Sequence, residues 1–319
     1  MIRFLLRRLA WSALVVWIVA TCVFVVYFAV PHDVSRLIAG RQASEETVKM
    51  VRTRLGLDQP VHIQYLAFIG RLARGDLGES FITQEPVNTI VARDFPVTAS
   101  LALGSGILWL VLGVGAGVIA ATRRRSLTDR IITTLALGFY SMPPFLVGQL
   151  LLFFLFFRLY MMGFEFFPPG SYVAFSDNPL QWARFLMLPW LSIALVTAAT
   201  YSRLTRSAML DVLDEDYIRT ARAKGLTERR IIYRHALRSS LTPVVSQFGI
   251  DLGSLMGGAI VTEVVFGLPG LGREAVLAIT TQDLPIIMGI VIISAVLVVA
   301  ANFVVDLCYA LLDPRVRLA

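Results

Sequence analysis

The sequence predicts an all-α polytopic membrane protein with six transmembrane helices and both termini cytoplasmic. Three observations carry this. The 319 residues are 56% hydrophobic and their mean hydropathy is +0.71, too apolar for a soluble domain of this length. The excess lies in blocks long enough to cross a bilayer. The 29 basic residues, against 22 acidic, cluster beside those blocks, a pattern of membrane orientation rather than of nucleic-acid binding.

Met1–Arg8 is short and basic, and Leu9–Val30 follows without a charge. At 1.5 Å per residue that block reaches roughly 33 Å, enough for a first span. A cleaved signal peptide is the alternative, but its apolar region is ordinarily shorter and ends at small residues. Residues 1–30 are therefore read as a basic segment and helix 1. Residues 31–96 are polar and mixed in charge and predict a small helical extracytoplasmic domain. Within it Ser44 can cap a helix over Ser44–Arg54, with Glu45 and Glu46 in the first turn, and LGLDQP (Leu55–Pro60) reads as a turn.

Residues 97–319 form the predicted membrane core. Val97–Ala121 is the second span, rich in the small residues that let membrane helices approach. Arg123–Arg125 marks a cytoplasmic turn. Ile131–Tyr160 is the third span, interrupted by Pro143–Pro144, a pair that either kinks a packed helix or marks a broken segment lining a pathway. Met161–Arg184 suits an interfacial loop, and Phe185–Tyr201 is the fourth span. A polar loop, residues 203–240, separates it from the fifth span, Pro243–Phe266. Phe266–Pro285 is an outer loop, and Ile286–Leu312 the sixth span before DPRVR. With both termini inside, 18 basic residues fall on cytoplasmic segments and 10 outside, eight of those in the long first domain, where charge counts least.

The longest charged run, Asp214–Ser240, carries Arg219, Arg222, Lys224, Arg229, Arg230, Arg234 and Arg238. Leu210, Leu213, Tyr217 and Ala221 recur at helical spacing before Gly225. After it, Thr227 can cap a new start with Glu228 in its first turn, and Tyr233 and Leu237 pair at i, i+4. The pattern is helix, glycine turn, helix. Gly225 suits a positive φ or the close approach of another backbone. A solvated loop that only fixes topology would explain the arginines. It would not explain the two amphipathic halves, which suit a short helix presented to a soluble partner.

Asp251, Glu263 and Asp306 fall within or beside spans, where a centred acid costs about 2.5–3.5 kcal/mol and ordinarily faces a cavity or partner. Asp251 is the most interior and is the pathway candidate, with a hydrogen bond to a neighbouring helix as the alternative; Glu263 and Asp306 suit packing or interfacial roles. His32, His62 and His235 show no metal-ligand spacing, Cys22 and Cys308 lie in apolar blocks, and no phosphate-binding loop or nucleophile elbow occurs. No catalytic residue, metal or cofactor is therefore expected on this chain.

Residues Arg219-Thr220-Ala221 followed by Gly225 fall where permeases of ABC importers carry a Glu-Ala-Ala…Gly cytoplasmic motif. ARAKGLTERRIIYRHAL resembles the version in the dipeptide/oligopeptide/nickel permease family. LGLDQPVHIQYLAFIGRLARGDLGES, TEVVFGLPGLG, DLPIIMGIVII and VDLCYALLDPRVR also resemble that family's landmarks, in its order. The departures are Arg219-Thr220 for Glu-Ala, His235-Ala236-Leu237-Arg238 for the Ile-x-Leu-Pro tail, and Pro31-His32-Asp33-Val34 for Pro-Gly-Asp-Pro after the first span.

The resemblance implies a non-enzymatic subunit in the cell membrane of a bacterium or archaeon. It implies a second homologous permease, two cytoplasmic ATPases that bind ATP and Mg, and an external solute-binding protein. It further implies that Arg219, Thr220, Ala221, Arg222, Ala223, Lys224, Gly225, Leu226, Glu228, Arg229 and Arg230 form a coupling helix and turn seated on an ATPase. Peptide is favoured over nickel because histidine and sulfur ligands are sparse. A receptor or scaffold whose basic loop recruits a regulator is the rival class, and neighbouring genes for ATPases and a binding protein would separate the two.

Overall fold

The structure is a computed structural model that describes residues 2–29, 34–39, 43–54, 58–168, 170–257 and 259–312. The Pro31-His32-Asp33 string, part of the Leu55–Pro60 turn, and the DPRVR tail lie outside the described residues, as do the side chains of Asp306 and Cys308. Among the described residues the chain is helical and has no strand; one isolated bridge joins Glu79 and Pro86.

Among the described residues five helices are long and apolar enough to cross a membrane. Their apolar parts are Arg7–Val26, Val87–Thr122, Pro144–Met161, Pro179–Leu213 and Leu284–Val304. They belong to α1 (Ile2–Ala29), α5 (Val87–Thr122), α7 (Pro144–Leu151, continued by a π-helical turn and α8, Arg158–Met161), α9 (Pro179–Leu213) and α15 (Leu284–Leu312). Helices α12 (Leu237–Met256) and α13 (Ile260–Phe266) pass the same test only together and are bent by 55° at their break, as a broken span or a re-entrant loop is.

Five of the six predicted spans are thus present and the predicted fifth, Pro243–Phe266, falls on this bent pair; three of the five have different bounds. The third does not begin at Ile131. Helix α6 (Leu127–Tyr140) ends before Ser141, and Pro143 and Pro144 start α7. A proline at the first helical position costs no hydrogen bond, because its missing N–H would be unsatisfied there anyway. The proline pair is therefore a break, not a kink. The second span starts ten residues early, at Val87, and carries Pro96 within the helix, while α9 carries Pro189 and runs past Tyr201 to Leu213. Apolarity marks only the membrane-crossing part of a helix, and a helix can continue into water on either side.

The chain divides into two units. The first comprises residues 1–95 and 274–299. Helix α2 (Val34–Ala39) precedes α3 (Glu45–Arg54), which Ser44 caps as its sequence predicts, accepting a hydrogen bond from the Thr47 amide at 3.2 Å. Helix α4 (Val61–Leu72) packs on α1 through Phe24, whose ring lies 5.2 Å from Tyr65 and 5.5 Å from Phe68. Asp283, buried before α15, accepts from the Ser80 hydroxyl at 2.5 Å and from the Phe81 amide at 3.2 Å, which fixes the turn at 80–83.

The second unit comprises residues 96–273 and 300–319. Its core is built on α5 against α9, with Trp109, Leu186, Ala194 and Tyr201 buried. Gly113 and Gly117 let the two helices touch. A Cβ on Gly113 would lie 2.5 Å from Cβ of Tyr201, and one on Gly117 would lie 2.6 Å from Cβ of Thr205. Glu263 is buried and lies under the start of α14 (Leu271–Thr281). It accepts from the Thr98 hydroxyl at 2.7 Å and the Arg273 amide at 3.0 Å, and Thr98 accepts from the Leu271 amide at 2.9 Å. A carboxylate there satisfies free helix-start amides and the positive end of the helix dipole.

Candidate functional site

The helix–glycine–helix segment leaves α9 at Leu213. Helix α10 (Asp216–Ala223) follows a turn through Asp214 and Glu215, and the chain re-enters at α11 (Glu228–Arg230), a π-helical turn and then α12. Of the predicted stripe, Leu210, Leu213 and Ala221 pack on one apolar cluster, but Tyr217 does not, because the break at Asp214 shifts the helical phase. Ile218 takes the inner position and is fully buried, whereas Tyr217 is exposed and its hydroxyl donates to Ser239 Oγ at 3.2 Å.

Ile218 and Ala221 pack into a cluster with Val118 and Ala121 from the end of α5, Met209 from α9, and Ile231 and Ala236. The small side chain of Ala221 therefore packs inside the chain. Burying a residue of isoleucine size stabilises its element by about 1.5–3 kcal/mol, so α10 has an anchored inner face. Its outer face presents Arg219, Thr220, Arg222, Ala223 and Lys224, all exposed.

Gly225 has φ +76°, and a Cβ built on it would meet nothing within 4 Å. The positive φ that its sequence position suits is present. Two hydrogen bonds close the end of α10: the Gly225 amide donates to the Arg222 carbonyl at 2.9 Å, and the Leu226 amide donates to the Ala221 carbonyl at 3.3 Å. This is the Schellman pattern. It brings Leu226 onto the same apolar cluster as Ala221.

Thr227 occupies the predicted cap position of α11, but its side chain makes no capping hydrogen bond. Glu228 turns back across the glycine instead. Arg222 Nε donates to Glu228 Oε1 at 2.7 Å and Nη2 to Oε2 at 3.4 Å. The contact pushes the Arg222 pKa up from its ordinary value, with Glu228 as the largest cause. The two side chains are 43% and 61% exposed, so the pair adds little to stability but sets the angle of the turn. Arg222 is thus engaged within its own chain. Arg229 and Arg230 project from α11 and, with Thr227 and Tyr233, line a shallow cleft of about 350 Å³.

A second feature braces this end of the second unit. Asp129, buried at the start of α6, receives Arg206 Nε at 2.8 Å and Nη2 at 2.9 Å, and the Arg125 amide at 3.0 Å. The Arg206 guanidinium is the chief cause holding the Asp129 carboxyl down at about 2. In the sequence Arg206 shows only as one topological charge among many, because its partner lies 77 residues away.

The pathway candidates lie elsewhere. Asp251, in α12, accepts from the Tyr201 hydroxyl of α9 at 2.8 Å and from Gln247 at 2.9 Å. The hydrogen bond to a neighbouring helix is therefore realised, while Asp251 stays partly exposed. Pro143 and Pro144 are exposed at the α7 start. None of the three belongs to the Ile218 cluster.

Comparison with known proteins bears on the family of the whole chain. Residues 113–318 match the family described as binding-protein-dependent transport system inner membrane component, and residues 1–102 match the N-terminal part of such components. A putative peptide transport system permease protein of Brucella abortus (strain 2308) is 41% identical over 313 residues, 98% of each chain. A glutathione transport system permease protein of Salmonella choleraesuis (strain SC-B67) is 36% identical over 317 residues, 99% of each. The fold is similar to a chain in an inward-facing structure of a methionine ABC transporter, with TM-score 0.55 and 18% identity, covering 70% of this chain and 96% of that one. The described helices and these matches place the chain, a multi-pass inner membrane protein, in the family of binding-protein-dependent transport system inner membrane components.

Proposed function

We propose that the chain is one of two permease subunits of an ATP-driven importer of small peptides, with α10 and the Gly225 turn as its coupling element. In this reading both termini and the α10–α11 segment are cytoplasmic, and the bent α12–α13 pair completes six crossings. Two ATPases bind ATP and Mg on separate chains, and an external binding protein delivers the cargo. The observation that carries the reading is a short helix with an apolar inner face, fully buried at Ile218, and a basic outer face. It occurs in a chain 41% identical over nearly its whole length to a peptide permease.

The inner face makes α10 part of the body formed by α5, α9 and α12, so a push on its outer face moves those helices together. ATP-driven closure of the ATPase pair then rocks the spans between outward-open and inward-open states. Arg219, Lys224, Arg229 and Arg230 supply the positive charge that meets acidic ATPase groups, while Arg222 and Glu228 fix the turn. Peptide is favoured as cargo over nickel or another small solute because the relatives named above are peptide and glutathione permeases. The test is uptake of a labelled tripeptide by proteoliposomes holding the whole complex and its binding protein. ATP-dependent accumulation supports the reading; ATP hydrolysis without peptide accumulation contradicts the cargo.

A further inference from the structure

Asp251 is a charge that its own chain leaves uncompensated by its described partners. It lies in α12, in the bent α12–α13 pair, and both groups hydrogen-bonded to it, the Tyr201 hydroxyl and the Gln247 amide, are neutral. They fix the direction of both carboxylate oxygens and leave the negative charge in place. An acid inside a membrane span ordinarily faces a cavity or a partner charge.

Asp251 itself is partly exposed, while the rings behind it, Tyr201 and Trp109, are fully buried, so only the carboxylate is open to a ligand. On the same helix Ser254 is exposed, its hydroxyl donating to the Ile250 carbonyl at 2.9 Å. A hard metal ion would need several more oxygen ligands than one carboxylate supplies.

We infer that Asp251 is a transient binding point in the passage for the positively charged groups of a peptide, its terminal ammonium or a lysine side chain. The inference rests on the peptide-importer reading. Peptides carry the ammonium that Asp251 lacks, and a single carboxylate with two neutral supports holds it weakly enough for release.

The test uses the complete complex with its binding protein in proteoliposomes, and labelled Ala-Ala-Ala, Ala-Lys-Ala and Ala-Glu-Ala. Asp251→Asn is expected to lower uptake of Ala-Ala-Ala about tenfold and to lower the Lys-to-Glu uptake ratio at least threefold. Asp251→Glu is expected to restore both. A purely structural acid would lower all three peptides equally, and that result, or uptake within twofold of wild type, overturns the inference. A second readout leaves Asp251 intact. Ser254→Cys, with Cys22 and Cys308 replaced by serine, is expected to react at least fivefold faster with a cationic than with an anionic methanethiosulfonate. Equal rates, or no reaction, overturn it. If the wild-type complex accumulates none of the three peptides while hydrolysing ATP, the cargo reading fails first, and this is seen without any variant.

Discussion

The Arg222 guanidinium and the Glu228 carboxylate close on each other at 2.7 Å across the Gly225 turn. This small clasp joins the end of α10 to the start of α11, and both side chains remain largely in water. Its worth lies in geometry, since an exposed pair contributes about 0–1 kcal/mol. Glu228→Gln should leave thermal stability nearly unchanged and lower coupled uptake by a few fold. The ratio of ATP hydrolysed to peptide accumulated checks this.

Gly225 tests the turn itself. Its φ of +76° disfavours any L side chain, although a Cβ would meet no atom within 4 Å. The cost is therefore conformational, about 1–2 kcal/mol for alanine. Gly225→Asn should be milder than Gly225→Ala, because asparagine visits that region more readily. Gly225→Trp should give an inserted protein with impaired uptake and uncoupled ATPase. Membrane fractionation together with an uptake assay checks both statements.

Ile218 should be the most sensitive position of α10. It is fully buried among Val118, Met209 and Ile231. Ile218→Ala removes that anchor at a cost of about 2–4 kcal/mol. The expected result is a complex that still binds its ATPases but hydrolyses ATP without moving cargo, read from co-purification and uptake side by side.

The Asp129–Arg206 pair gives a prediction with a pH signature. Arg206→Ala leaves a buried carboxylate unpaired and should cost about 3 kcal/mol. Arg206 holds the Asp129 pKa down from 3.8 to about 2. The stability this supplies is fully present above the ordinary value of 3.8 and is lost as pH falls through 2. The melting-temperature gap between wild type and Arg206→Ala should therefore be constant from pH 8 to 5 and shrink below pH 4. Thermal melts of the detergent-solubilised complex at several pH values check it.

Glu263 predicts a local defect. Removing its carboxylate strands the Thr98 hydroxyl and the Arg273 amide, at a cost of about 2 kcal/mol. Gly270→Ala should mimic it, because the new Cβ would lie 2.5 Å from the Glu263 carboxyl carbon. Faster amide exchange over Leu271–Thr281 in both variants is the expected readout.

Much of this was legible in the sequence where the signal is local. The apolar blocks mark the spans, Ser44 marks its helix start, and Gly225 marks the turn between two short helices. What was not legible depends on partners far along the chain. Tyr217 rather than Ile218 fits the spacing from Leu213, because spacing assumes an unbroken helix and the chain breaks at Asp214. The Pro143–Pro144 pair reads equally well as kink or break until the end of α6 is seen. Arg206 and Tyr201 look like one charge and one aromatic among many, and only folding brings them to Asp129 and Asp251.

The central proposition is that the outer face of α10 bears on an ATPase while its inner face bears on the spans. Cysteine cross-linking in the assembled complex tests it most directly, with Cys22 and Cys308 replaced by serine. Ala223→Cys, on the exposed face, should cross-link to the ATPase subunit with a short bifunctional reagent, and Ile218→Cys, on the buried face, should not. Labelling of Ala223→Cys by an impermeant reagent from outside intact cells, with no cross-link to an ATPase, would contradict the account.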